Sequence, residues 1–295
     1  MTLHRFLRAI GFSKIKTRED INKLVSDAVR RADKKEYVTI DNECLYAEYH
    51  FYSSEHTGIC VRGEYAENNV FSCDYYFPFL ESDSITSSEE ISIERQLQGM
   101  SYSGLVDDYK LGISLIFYLR SIIEYLKYEN NDIHFENGTS LTLSALSDNG
   151  TILMPILKDP DEERKSKQYN ARRSRMLKEA AGGNEDAIES LSIQDIDTQN
   201  IVDKKSHEED IYSLVDTYFM TYGLECELYS IMGEIKDYCI EKNRFSDEEI
   251  IVMTLDVNDI ELSVCVNKKD VTGEIAVGRR YKGVIWLQGY INYPR

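Results

Sequence analysis

The chain has 295 residues, 42% of them hydrophobic, 29% charged and 11% aromatic, a balance that excludes a disordered tail or a fibre and suffices for a core without cross-links. Its 34 basic and 52 acidic residues give a formal charge of −18, which opposes non-specific binding of the whole molecule to nucleic acid or anionic lipid. The longest apolar run, 111–119, is interrupted by Gly112 and Ser114 and falls far short of the roughly 20 residues a membrane helix needs.

The opening segment lacks the continuous apolar stretch of a secretory signal. Leu3, Phe6, Leu7 and Ile10 sit at helical spacing, and Gly11 is a natural stop. A second helix begins at Thr17, a capping residue, with Ile21, Leu24, Val25, Ala28 and Val29 forming one stripe. The period then changes. Residues 36–41, 44–52, 57–65 and 70–79 are rich in Tyr, Phe, Val and Ile and predict four strands of an antiparallel meander. Alternation places Leu45, Ala47, Tyr49 and Phe51 on one face, opposite Tyr46, Glu48, His50 and Tyr52.

Residues 81–94, with five acids, five serines and no basic group, read as a solvated loop. The apolar stretch 106–128 predicts a long central helix. Residues 141–146 and 151–157 flank Asn149-Gly150, which predicts a tight hairpin. The first domain is expected to span 1–158 and to be an antiparallel sheet packed with helices. A helical connector, 159–222, combines a basic interval at 164–178 with an acidic one at 179–210. Asn184 and the Ser206–Glu209 capping box mark its helix starts. From Gly223 the pattern is all β, at 225–240, 249–257, 260–267 and 279–293, with glycines at bulge or corner positions. The last domain, 223–295, is therefore expected to be a small closed barrel of OB type. The fold class expected is α+β.

The chemistry-bearing residues are sparse. No two of the six cysteines are closer than 13 residues, so there is no CxxC pair. The size of the chain and the strand context of Cys60 and Cys265 suit reduced thiols and a cytoplasmic protein. His50 and His56 flank one hairpin loop, where Glu48 or Cys60 would complete a metal site in the right register, but solvated or hydrogen-bonded histidines explain the pattern as well. No nucleophile elbow, P-loop, dinucleotide fingerprint or HExxH motif is present. No catalytic residue, metal or cofactor is expected. The cluster Arg279, Arg280, Tyr281, Lys282 and Trp286 draws attention because cations interleaved with rings suit a stacking platform with phosphate contacts; a barrel strand with a core Tyr and Trp is the simpler account. The chain holds 21 tyrosines. Tyr46, Tyr49, Tyr52, Tyr65, Tyr75 and Tyr76 gather on the first sheet, where amphipathic rings suit a protein interface.

The segments His4–Phe12, 112–119, 141–156, 183–191 and 281–289 resemble those of an uncharacterised bacterial family, a domain of unknown function of anaerobic Gram-positive bacteria. The resemblance spans nearly the whole chain. It implies a cytosolic bacterial protein of shared architecture and implies no activity. The tail resembles an OB barrel by analogy only. These readings favour a non-enzymatic cytoplasmic binding or scaffold protein whose partner is another protein or a second copy, with no membrane role. The alternatives are single-stranded nucleic-acid binding through the tail, against the net charge, and a hydrolase whose site assembles in space.

Overall fold

The computed structural model describes residues 3–40, 44–65, 69–96, 101–108, 113–129, 139–155, 216–224 and 226–293, with isolated positions between 168 and 191. Its first long element is set by its cap. Thr17 Oγ1 accepts from Asp20 N–H at 3.1 Å while the Asp20 carboxylate accepts from Thr17 N–H at 3.1 Å. This box satisfies donors that a helix N-terminus leaves open. Helix α1 (Arg18–Arg30) then buries Ile21, Leu24, Val25 and Ala28, the stripe read from spacing. The segment before it forms only a 3-10 turn, Arg5–Leu7, capped by His4. Gly11 stops it at φ +88°, where a Cβ would lie 2.8 Å from Asn243 Cβ.

Four strands follow where alternation puts them: β1 (Lys34–Ile40), β2 (Cys44–Tyr52), β3 (Thr57–Tyr65) and β4 (Phe71–Leu80). They form an antiparallel sheet in sequence order. Helix α1 packs on β2 and β3, and a second sheet covers the other side.

That second sheet has ten strands: β5 (Ile91–Arg95), β6 (Tyr102–Asp108), β7 (Ile113–Leu119), β8 (Ser140–Leu153), β9 (Tyr218–Thr221), β10 (Leu228–Lys242), β11 (Glu249–Val257), β12 (Ile260–Asn267), β13 (Val271–Thr272) and β14 (Arg280–Asn292). Its order is β13-β8-β12-β11-β10-β14-β7-β6-β5, with β9 beside β10. The expected α+β class is therefore corrected: the chain is mostly β, built on two sheets, and only α1 and α2 (Ile122–Glu129) are named helices among the described residues.

Three local expectations fail with it. The stretch expected as one helix, 106–128, is β6, β7 and then α2. Leu115, Phe117 and Leu119 are buried on one face of β7 while Tyr118 is buried on the other, and a run apolar on both faces hides its period of two. The segment expected as a hairpin is the single strand β8, which runs straight through Asn149-Gly150, and neither residue has positive φ. Glycine is needed there for space instead. A Cβ on Gly150 would lie 2.3 Å from the Tyr281 ring. The acidic 81–94 loop contributes β5 at its end.

The OB-like tail barrel is corrected as well. Strands β8, β12, β11, β10 and β14 pair in a closed circuit, but β8, from upstream, supplies the link. It pairs with β14 at 12 positions, from Ser140↔Asn292 to Leu153↔Arg280, and with β12 at Ser144–Ser147. Strand β10 makes the handover, facing β14 up to Glu234 and β11 beyond it, across a bulge between Ile235 and Asp237. The basic 164–178 interval is described only at scattered positions, and the 206–209 capping box lies outside the described residues. At Asn184 the side chain does cap, accepting from Ala187 N–H at 3.3 Å.

Two cores result. One holds Leu143, Ala145, Ile231, Met253, Leu255, Val264, Tyr281 and Ile285 with α2 residues Ile122, Ile123 and Leu126. The other lies around the first sheet and joins Phe6, Ile10, Ile21, Val25, Tyr49, Phe51, Ile59 and Phe77 to Leu146, Cys265 and Trp286.

Candidate functional site

The C-terminal cluster is brought together along one strand but not on one surface. Arg279 binds Glu274 through the carboxylate at 3.1 Å. Arg280 is buried, with Nε donating to Met154 O at 3.1 Å, and burial draws its pKa below the usual value. Tyr281 is fully buried in the first core, its hydroxyl donating to Asn149 O at 3.3 Å. Lys282 is half-buried. Trp286, 7% exposed, lies in the second core, stacked on Phe6 at 5.7 Å and 4.8 Å from the His4 ring. Two rings sealed in different cores offer no platform for bases.

The tyrosines divide. Tyr46, Tyr49 and Tyr76 are buried, Tyr52 and Tyr65 are half-buried, and Tyr75 is exposed. Cross-strand register places Lys35, Tyr37, Leu45, Ala47, Tyr49, Tyr65 and Phe71 on the face that carries α1. Part of that face is open. Tyr37 is 40%, Leu45 39% and neighbouring Val70 58% exposed. The rings support one another: Tyr37 meets Tyr49 edge-on at 6.3 Å, Tyr49 meets Phe71 at 5.0 Å, and the Tyr49 and Tyr65 hydroxyls share a hydrogen bond. Beside it Lys35 lies over a ring, 5.8 Å from the Tyr49 centre, while Arg31 lies over Phe51 and Phe245 toward the other end of β2. The result is a preformed aromatic patch with a cation, Lys35, at its edge on a molecule of net charge −18.

The opposite face of the same sheet is a buried polar seam. Glu48 and Arg62 are directly opposed on β2 and β3 and pair with neither exposed. Arg62 also donates to Tyr118 Oη at 2.9 Å and Arg120 O at 2.6 Å, and its guanidinium lies 4.5 Å from the Phe77 ring centre. Gln288 Nε2 donates to Pro78 O at 2.8 Å and Ser144 Oγ to Leu80 O at 2.8 Å, tying β14 and β8 to β4. Burial pushes the Glu48 carboxyl up, but Arg62 and His50 outweigh it and hold the pKa at about 2. His50 Nε2 lies 2.7 Å from that carboxylate, and its Nδ1 is buried without a hydrogen bond among the described residues. Cys60 is the third member of this group, its thiol pushed well above its ordinary pKa by burial. The seam holds the two sheets together. A cation beside Glu48 would compete with Arg62.

Sequence reading missed the Glu48–Arg62 pair because the two residues lie on different strands and meet only through the β2–β3 register. The clue available was Glu48 alternating with large rings on a strand apolar on both faces. His4 caps the first turn, while His134 and His207 lie outside the described residues.

The family model described as "Domain of unknown function, E. rectale Gene description (DUF3881)" matches residues 7–289. The chain belongs to the DUF3881 family. The match covers every strand named above except the last residues of β14, so both sheets and the seam fall within the family's span. No curated protein and no solved structure matches this DUF3881 chain.

Proposed function

We propose that this DUF3881 protein is a non-enzymatic binding protein that docks an extended, acidic and apolar segment of a partner polypeptide on the open end of its first sheet. The observation that carries this reading is the patch of Tyr37, Leu45, Tyr65, Val70 and Phe71, supported from below by buried Tyr49 and edged by Lys35. Large rings already fixed against one another lose little freedom when a partner covers them. Tyr hydroxyls keep a polar contact while the ring is buried. Lys35 supplies charge complementary to carboxylates, so the partner is acidic despite the net charge of the whole molecule. None of the six cysteines is joined in a disulfide, which supports a reducing compartment.

Selection of a displayed peptide library, alternating acidic and apolar residues, against the folded protein tests the reading. Enriched peptides should bind with an affinity that falls about tenfold or more in Tyr37→Ala/Leu45→Ser and weakens with added salt. No enrichment, or peptides that bind wild type and variant alike, overturns it.

A further inference from the structure

At the far end of the first sheet, two chain segments remote in sequence bring together three metal-ligating side chains. The β2–β3 hairpin presents His56, and β10 presents Cys239 and Glu241, two residues apart and so on one side of the strand. The hairpin is fixed where it meets β10. Arg244 N–H donates to Ser53 O at 2.8 Å, His56 N–H to Glu241 Oε2 at 3.2 Å and Glu81 N–H to His56 O at 2.8 Å. His56 Nδ1 hydrogen-bonds Glu241 Oε1, and Cys239 Sγ lies 3.6 Å from the same oxygen.

We propose that His56, Cys239 and Glu241 bind one divalent transition-metal ion of the zinc type, with the fourth coordination position open to water. Imidazole, thiolate and carboxylate together form a donor set suited to Zn(II) rather than Mg(II) or Ca(II), which take oxygen ligands. The three donor atoms already lie within 4.8 Å of one another. Ligands around a tetrahedral zinc stand about 3.3–3.8 Å apart at bond lengths of about 2.0–2.3 Å. Side-chain movements of about 1 Å therefore convert the cluster into a coordination shell without moving either strand. Glu55, Asp83 and Asp237 surround the group and add negative potential for an incoming cation. Ser54, whose hydroxyl hydrogen-bonds Thr57 Oγ1 at 2.7 Å, also acts on the Glu241 carboxylate, the kind of outer interaction that orients a ligating group. His56 and Cys239 both reach solvent, so an ion has direct access.

A Cys–His–Glu nucleophile is the competing reading of the same residues. It requires the imidazole to take the thiol proton, whereas His56 Nδ1 and Cys239 Sγ both meet Glu241 Oε1 rather than each other. The buried trio Glu48, His50 and Cys60 has a similar donor set but holds the Arg62 guanidinium against its carboxylate. Only the solvent-facing cluster is free of a fixed cation of that kind.

Titrating the purified full chain with Co(II) reads the site directly. One equivalent should give the intense visible bands of tetrahedral cobalt and a thiolate charge-transfer band, and Zn(II) should abolish both. Cys239→Ser should lose the charge-transfer band, while Cys226→Ser keeps it. His56→Gln and Ser54→Ala should weaken Zn(II) binding, the latter by about tenfold. A thermal melt of each variant without metal separates lost binding from lost folding. A weak octahedral spectrum, a charge-transfer band that persists in Cys239→Ser, or equal Zn(II) affinity in folded wild type and His56→Gln overturns the assignment.

Discussion

Arg62 and Glu48 stand directly opposite one another on adjacent strands, their charges paired with neither side chain reaching solvent. Removing one partner leaves the other charge buried and uncompensated. Arg62→Met should therefore cost about 3–5 kcal/mol in denaturant unfolding, while Glu48→Leu/Arg62→Met should recover most of that loss. Equal stability of the single and double variants would show that the pair is not coupled.

The same carboxylate makes the fold acid-sensitive. Its unfolded pKa is 4.5 and its folded pKa about 2, because Arg62 and His50 outweigh the upward push of burial. The contribution is complete above about pH 4.5 and drains away as pH falls toward 2, amounting to about 3 kcal/mol. Urea midpoints measured from pH 6 to pH 2 should fall through this window in wild type and less steeply in Glu48→Leu/Arg62→Met.

At the start of α1, Thr17 and Asp20 share two hydrogen bonds of 3.1 Å. Thr17→Ala removes the cap and should lower stability by about 1 kcal/mol, seen by calorimetry as a Tm lower by about 2–4 °C. An unchanged Tm counts against the capping box as a determinant of this helix.

Gly150 is needed for space rather than for a turn. Gly150→Ala should destabilise by about 1–3 kcal/mol through collision with the Tyr281 ring. A second substitution, Tyr281→Val, clears that ring and should reduce the extra cost of the alanine. If the cost of the alanine is the same with and without the ring, it is conformational and the steric account fails.

The single tryptophan reports on the second core. Trp286, packed on Phe6 and beside His4, should emit in the blue, resist quenching by acrylamide and ignore single-stranded oligonucleotide at low salt. Burial lowers the His4 pKa from 6.5 to about 4. The unfolded chain protonates first, so stability should decline between about pH 6.5 and about pH 4. His4→Phe should flatten that decline, and an identical profile in the variant rules out His4 as its source.

Local pattern made the front half of the fold readable. The α1 stripe follows from its spacing, and the four meander strands from runs of Tyr, Phe, Val and Ile set apart by short polar breaks. It failed where both faces are covered. Val106, Leu115, Phe117 and Tyr118 are all buried, so a strand pair looked like an apolar helix. Pairing between β8 and β14 joins residues far apart in sequence, and no local signal encodes such a partner. The same reason hid the meeting of His56 with Cys239 and Glu241. The tyrosine-rich sheet was visible, but only cross-strand register showed which rings stay open.

Strand β8 has its antiparallel partner about 130–150 positions downstream. At about 5–20 residues per second, the ribosome releases that partner roughly 7–30 s later. Until then β8 and β10 expose unpaired backbone groups and the lining of a core. Nascent DUF3881 chains therefore face their greatest hazard of misassociation late in synthesis, and chaperone occupancy should persist until β14 emerges.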